Sequence, residues 1–456
     1  MKLHLPSALL LLSSIAAGQT FQVTQIPQLA ADLAWDPVSG RIFVSVTSAD
    51  AIVPVHTLSQ QVGAPIPTAD GPRKLAMSSD GQFLYVGFDS TPVVQRVHVP
   101  SLAVDLTLQL GSDPTFGANF VEDLTVNPAD SRMFAVSRKR IGFSPRHAGV
   151  AVFDDGVQLP NTTPSHTGAN VIEWSDDPAR IYGYNNETTE FGLRTLFVDA
   201  QGVQVTQSLN TQIIGFGVDI EYESGLVYST TGFAVNPVLG QTVGIFQGVG
   251  SNAKVAVHAA GNRIHFLSSN TVRTYDLSTF QLVGTQLISG IQGTPARLIA
   301  WGQSSLAFST TGGQLFLLTG NESCTSSWST YCPALPNSAG SPSQIAVSGN
   351  LRIALSDTTL HCSALPAGKW GTFLMSSQRS NLPLGDGRLC VSPFGGLTRI
   401  GEPARSDSNG EVSVSLPFQL HPQIGPGVAW HFQFWHRDSS PAGLNLSNAA
   451  TVWFCP

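Results

Sequence analysis

One pattern recurs seven times before residue 320, and few folds accommodate it. Leu33-Ala34-Trp35-Asp36-Pro37 leads through Gly40 to Arg41-Ile42-Phe43-Val44. Leu75-Ala76-Met77-Ser78 leads through Asp80-Gly81 to Phe83-Leu84-Tyr85-Val86, and Leu124-Thr125-Val126-Asn127-Pro128 leads to Met133-Phe134-Ala135-Val136. Four more copies start at Ile172, Ile220, Val255 and Leu298. The anchors Trp35, Met77, Val126, Trp174, Tyr222, Val257 and Ala300 stand 42, 49, 48, 48, 35 and 43 residues apart. Each copy is a short alternating segment, a polar turn and a second apolar segment, the period-two signature of strands. Further strand-like runs follow in most copies, such as 93–97 and 106–110. A repeat of about 40–45 residues holding four strands is one blade of a β-propeller. A helical solenoid of similar period needs helical apolar spacing, and these segments are too short and too rich in Thr, Val and Gly. A row of sandwiches would not keep one motif seven times. The expectation is an all-β chain with a seven-bladed β-propeller over residues 19–322. The last copy shows only three strands, while Phe21-Gln22-Val23-Thr24-Gln25-Ile26 alternates ahead of the first copy. That segment is expected to pair as the outermost strand of the seventh blade, joining the two ends and covering an exposed edge.

Composition narrows the setting. Charged residues are 12% of the 456, near half of the roughly 25% usual in soluble proteins. With 44 Gly and 29 Pro the chain cannot be a long-helix protein, and 42% hydrophobic residues exclude disorder. Net charge is −7 and no long basic run occurs, which argues against a nucleic-acid partner. The first 18 residues carry one Lys, an apolar core and small residues at Ala16, Ala17 and Gly18, the pattern of a secretory signal peptide cut after Gly18. Its apolar part is shorter than the about 20 residues a membrane span needs. No later segment reaches that length, so no membrane span is expected and the destination reads as secreted, periplasmic or cell surface.

The cysteines fit that address. Cys324, Cys332, Cys362, Cys390 and Cys455 all lie in the last third. Their clustering marks a second domain, 323–456, and suggests disulfides in an oxidising compartment. No CxxC spacing occurs, so zinc is a poor reading. Cys362–Cys390 is the favoured bridge, because each flanks an apolar strand-like run, and pairing among Cys324, Cys332 and Cys455 stays open. An odd count leaves at least one thiol unpaired within the chain. Five of the eight Trp fall here among short strand-like runs separated by turn signals such as Gly385-Asp386-Gly387 and Asn409-Gly410. A disulfide-containing β-sandwich is expected.

Two resemblances follow from these residues. The turn and strand of Ser79-Asp80-Gly81-Gln82-Phe83-Leu84-Tyr85-Val86 resemble the repeats of bacterial YVTN and lactonase-like propellers, over roughly 21–320. The resemblance implies the fold and leaves function open, since such propellers include lactone hydrolases and many binding or surface proteins. Residues Tyr331-Cys332, Pro336-Asn337-Ser338-Ala339-Gly340, Gly387-Arg388-Leu389-Cys390, Phe432-Gln433-Phe434-Trp435-His436-Arg437-Asp438 and Asn445-Leu446-Ser447-Asn448-Ala449 resemble the C-terminal domain of many secreted planctomycete proteins. No chemistry comes with that likeness; it implies an exported setting.

Catalytic motifs are lacking in the sequence. There is no Gly-x-Ser-x-Gly elbow, His-Glu-x-x-His helix, phosphate loop or dinucleotide fingerprint. No catalytic residue, metal ligand or cofactor is assigned. His258 and His265 read as strand histidines, Asp407-Ser408-Asn409-Gly410-Glu411 as a hairpin turn rather than a calcium loop, and Arg138-Lys139-Arg140 with Arg146 and His147 as a solvated basic loop. Aligning the copies singles out one set. The residue before each first strand is Asp32, Lys74, Asp123, Val171, Asp219, Lys254 or Arg297, with Arg73 and Glu122 adjacent. The innermost strand of a propeller lines its channel, so these positions form a ring near one mouth. They either lock neighbouring blades together or bind a polar ligand, a cation or a lactone. The chain therefore reads as an exported binding or scaffold propeller without evident catalytic machinery. Its partner is an unknown small molecule, glycan or protein. The alternative is a lactonase-like hydrolase working at the channel mouth.

Overall fold

The computed structural model describes residues 20–455 except 211, 303, 321–326, 352, 354–356, 394–395, 419–420, 422–423 and 425–428. The expected leader, 1–18, and Cys324 lie outside the described residues.

Seven four-stranded sheets precede residue 321 among the described residues. Their first strands are Leu33–Asp36, Pro72–Met77, Phe120–Val126, Val171–Trp174, Ile220–Glu223, Lys254–His258 and Pro295–Trp301. Each packs on the first strand of the next sheet, and Pro295–Trp301 packs back on Leu33–Asp36, so the seven close into a ring. Alternation along each strand explains the stacking. On Arg41–Val46, Ile42 and Val44 join a core with Leu315 and Leu317 of the last sheet, while Phe43 joins Leu84 and Val86 of the second. Both faces of a sheet are thus apolar, because each is covered by a neighbour. Aromatic residues fill the space between the second and third sheets, where Tyr85 stacks on Phe134 at 4.2 Å and Phe134 on Phe153 at 5.2 Å. Gly87 has room for no side chain, since a Cβ there meets Val121 of the third sheet at 2.5 Å.

The last sheet takes its fourth strand from the start of the chain. Phe21–Ile26 pairs antiparallel with Leu315–Gly320, Phe21 opposite Gly320 and Ile26 opposite Leu315. The edge of the last sheet is therefore covered, and the two ends of the ring are joined by backbone hydrogen bonds.

Beyond the ring, a five-stranded sheet (in order Ser327–Tyr331, Leu444–Trp453, Ala429–Arg437, Trp370–Ser376, Thr398–Arg405) faces a three-stranded one built from Gln344–Ser348, Thr359–Ser363 and Val412–Ser415. Ile345, Leu360 and Val412 of the smaller sheet share one core with Phe373, Met375, Phe432, Phe434 and Val452 of the larger. The hairpin Arg379–Leu384 and Gly387–Val391 covers the other side of the larger sheet, where Leu389 and Val391 pack on Leu374 and Leu446. This arrangement corrects the expected disulfide. Cys390 bonds Cys332, with Cα atoms 6.2 Å apart, and Cys362 is a free, buried thiol. Cys362 belongs to the core between the two sheets, whereas Cys390 belongs to the hairpin on the far side. The five-stranded sheet stands between them, so the expected Cys362–Cys390 bridge is geometrically closed off. Cys455 is also disulfide-bonded.

Candidate binding site at the ring of first strands

Asp32 and Asp219 directly precede their first strands, whereas Lys74, Asp123, Lys254 and Arg297 lie within theirs, and these residues divide into two kinds. The first kind stitches sheets together. Asp32 accepts the backbone N–H of Leu75 in the second sheet at 3.0 Å through Oδ2, and Asp123 accepts that of Ile172 in the fourth at 2.9 Å. Lys74 Nζ lies 3.1 Å from Asp123 Oδ1. Arg297 reaches across the ring, with Nε 3.6 Å from Asp32 and Nη1 3.9 Å from Asp219. Serines on the second strands add to these stitches: Ser45 Oγ donates to the Arg73 carbonyl at 2.8 Å, Ser137 to that of Ala169 at 2.7 Å, and Ser309 to that of Ala31 at 2.9 Å. Burial works against both members of the Lys74–Asp123 pair. For Lys74 the carboxylates of Asp123, Asp219 and Asp32 outweigh it and hold the ammonium above its ordinary range. The Asp123 carboxyl is pushed up by burial and by Asp219, and drawn back by Lys74 and the Ile172 amide. We take the pair as ionic, because the short contact and the amide both call for a carboxylate.

The second kind has no partner. Lys254, in the sixth sheet, makes no side-chain hydrogen bond or ion pair among the described residues, and burial lowers its pKa despite the attraction of Asp219. Two acids that the sequence reading did not single out lie one level further along: Glu173 on Val171–Trp174 and Glu221 on Ile220–Glu223. Neither side chain makes a hydrogen bond or ion pair among the described residues, and the Arg297 guanidinium acts on both only at longer range. Burial first, then their mutual repulsion together with Asp123 and Asp219, raises Glu173 well above the ordinary carboxyl range, with Arg297 in opposition. Glu221 is raised to about 7 by burial and by Asp219, Glu223 and Asp123, again against Arg297. Both side chains keep partial exposure, so burial here means many protein neighbours around a site still open on one side. A signal for them existed in the sequence. The residue before each anchor is Ala34, Ala76, Thr125, Glu173, Glu221, Ala256 or Ile299, so only the fourth and fifth copies place an ionisable group there. In the third copy that position stitches as well, Thr125 Oγ1 accepting the N–H of Trp174 at 3.0 Å.

Val171 is buried and apolar and takes no part in the charge pattern. Arg73 and Glu122 do not join the ring. They belong to a neighbouring relay in which Arg73 faces Asp89 at 3.6 Å, Lys139 bridges Asp89 and Glu122 at 3.3 and 3.7 Å, and Arg146 holds Glu122 at 2.6 Å. The basic set is not the solvated loop expected: Arg138 and Lys139 end the strand Met133–Lys139, His147 opens His147–Asp154, Arg138 and His147 are buried, and Arg140 is paired to Asp113 at 3.2 Å and stacked over Phe116. His258 and His265 are neighbours, ring centroids 5.3 Å apart, His265 Nδ1 meeting Thr274 Oγ1 at 3.0 Å. At 407–411, Asp407 Oδ1 accepts the N–H groups of Asn409 and Glu411, closing a turn with Gly410 at φ +74°.

No protein-family model matches the chain, and no curated protein matches it. Among solved structures it is similar to hydrazine synthase of Kuenenia stuttgartiensis, at 12% identity and a TM-score of 0.51, covering 64% of this chain and 96% of that one. It is also similar to the β-propeller domain of Cps50 (Swd1) from Myceliophteria thermophila, at 12% identity and a TM-score of 0.53, covering 66% of this chain and 99% of that domain. Likeness at such identity speaks to fold alone. With the closed ring of four-stranded sheets, it gives this chain a β-propeller fold.

Proposed function

We propose that the chain is an exported ligand-binding propeller whose site is the half of the ring contributed by the fourth, fifth and sixth sheets. In this reading each four-stranded sheet is one blade of a seven-bladed propeller over 19–322, related to the YVTN and lactonase-like repeats. Residues 323–456 form an appended β-sandwich, and 1–18 are the export signal. The Cys332–Cys390 bridge supports an oxidising destination.

The observation that carries the binding role is the split between the two kinds of ring residue. Stitching the blades is accomplished by Asp32, Lys74, Asp123 and Arg297. Glu173, Glu221 and Lys254 stitch nothing, and leaving such groups unpaired costs stability that simple packing at those positions would not. Residues that cost stability without structural return are the expected mark of a binding site. A lactone hydrolase at the same mouth has less support. Of the ring carboxylates, Asp32 and Asp123 are occupied by backbone amides of the next sheet and Asp219 by Arg297 and the Ile220 amide, which leaves Glu173 and Glu221 as the free candidates for a base.

The test is a thermal-shift screen of small polar compounds against the mature chain and its Glu173→Gln, Glu221→Gln, Lys254→Met triple variant. Compounds that stabilise the wild type and not the variant support the site. Stabilisation kept undiminished in the variant, or none in the wild type, overturns it.

A further inference from the structure

Resting on the channel-site reading, we infer that the ligand is a small zwitterion, its ammonium held between Glu173 and Glu221 and its carboxylate by Lys254. The unpaired groups are of both signs and occupy two levels. Glu173 and Glu221 stand at the same position of consecutive first strands, immediately before Trp174 and Tyr222. Lys254 opens the first strand of the following sheet, at the level of Asp219, two residues before Glu221 along its own strand. A lone cation would satisfy the two acids and leave Lys254 with only the longer-range attraction of Asp219 and Asp32. A lone anion would do the reverse and meet the repulsion of two carboxylates. A molecule carrying both charges answers all three.

A divalent metal ion is a poorer fit. Calcium takes six to eight oxygen ligands, and no group of three or more His, Cys, Asp or Glu suited to a metal occurs among the described residues. The nearby acids are already committed, Asp123 to Lys74 and the Ile172 amide, Asp219 to Arg297 and the Ile220 amide. An ammonium with three N–H donors makes smaller demands, and two carboxylates serve it with charge-assisted hydrogen bonds. Two residues of strand separate the levels by roughly 7 Å. The two charges of the ligand are therefore several bonds apart, further than in an α-amino acid.

The probes are 6-aminohexanoate, hexylamine and hexanoate, titrated by calorimetry into the full mature chain at pH 8. The expected result is that 6-aminohexanoate binds at least about tenfold tighter than either half-molecule. Glu173→Gln with Glu221→Gln should reduce it to the level of hexanoate, and Lys254→Met to that of hexylamine. Equal affinity for the zwitterion and one half-molecule overturns the ligand class. If that shared affinity still falls in the variants, the channel site survives with a different ligand. Zwitterion affinity unchanged in all variants overturns the assignment to these residues. The wild-type comparison decides the ligand class without any variant, should one fail to fold.

Discussion

Gln286 holds Phe21 by both of its backbone groups. The Phe21 N–H donates to Gln286 Oε1 at 2.6 Å, and Gln286 Nε2 donates to the Phe21 carbonyl at 2.8 Å. Gln286 lies on Leu282–Leu287, the outer strand of the sixth sheet, whereas Phe21 opens the outer strand of the last. The clasp fastens the closing strand to the neighbouring sheet as well as to its own. The Phe21 ring is buried with Leu306, Phe308 and Phe316 and meets His265 edge-on at 5.7 Å. Phe21→Ala is expected to cost about 3–5 kcal/mol in urea unfolding. Gln286→Ala should cost about 1 kcal/mol for each backbone bond lost. If Phe21→Ala leaves the unfolding midpoint in place, the closing strand does not hold the ring.

Glu221 ties stability to pH in an unusual direction. Its folded pKa is raised to about 7, above the ordinary 4.5. A group raised in the folded state contributes fully below its unfolded pKa, and that contribution is lost as pH rises through the folded value. The loss therefore runs from about pH 4.5 to 7. Glu221→Gln removes the repulsion with Glu173 and Asp219, so the variant should melt above the wild type at pH 8 and close to it at pH 4.5. A variant that melts lower at pH 8 would show Glu221 to be a structural partner, contrary to the binding role.

The histidines of the sixth sheet work the other way. Burial lowers His258 to about 4, and burial with the neighbouring His258 and Arg263 takes His265 well below 6.5. A histidine depressed in the folded state takes up its proton more readily when unfolded, so stability is complete above about pH 6.5 and falls as pH drops toward 4. The slope of melting temperature against pH in that window should flatten in His258→Gln. Because Glu221 has the opposite sign over much of the same range, adding Glu221→Gln to His258→Gln should move the slope back toward that of the wild type. An unchanged slope in His258→Gln would mean that its ring is not shielded as the packing against His265 and the Trp301 carbonyl implies.

Much of the ring was legible because its signal is periodic. Leu33, Leu75, Leu124, Ile172, Ile220, Val255 and Leu298 repeat one register, and every copy begins a sheet. The charged positions come from the same alignment, three residues ahead of each anchor. Glu173 and Glu221 were hidden because charge does not recur at their position, where they are exceptions among Ala, Thr and Ile. Arg73 and Glu122 sit next to ring residues in the chain, but alternation turns adjacent side chains opposite ways, and both joined the relay with Asp89 and Lys139. The disulfide was illegible for a different reason. Which face of a sheet a hairpin covers depends on packing distant in the chain, and strand-like runs beside Cys362 and Cys390 say nothing about the sheet between them.

That sheet makes the last prediction specific. Cys362 is 1% exposed, and burial pushes its thiol up, so at neutral pH it is neither reachable nor a thiolate. It should resist a thiol reagent in the native chain and react once denaturant is added. The Cys332–Cys390 bridge closes a sequence separation of 58 residues and anchors the covering hairpin to the chain just after Ser327–Tyr331. Cys332→Ser with Cys390→Ser should lower the stability of the C-terminal part by roughly 2–4 kcal/mol. The propeller transition should stay where it is, because none of its cores includes these residues. A native chain that loses its Cys362 thiol to the reagent as fast as a denatured one would mean that the two sheets do not close over it.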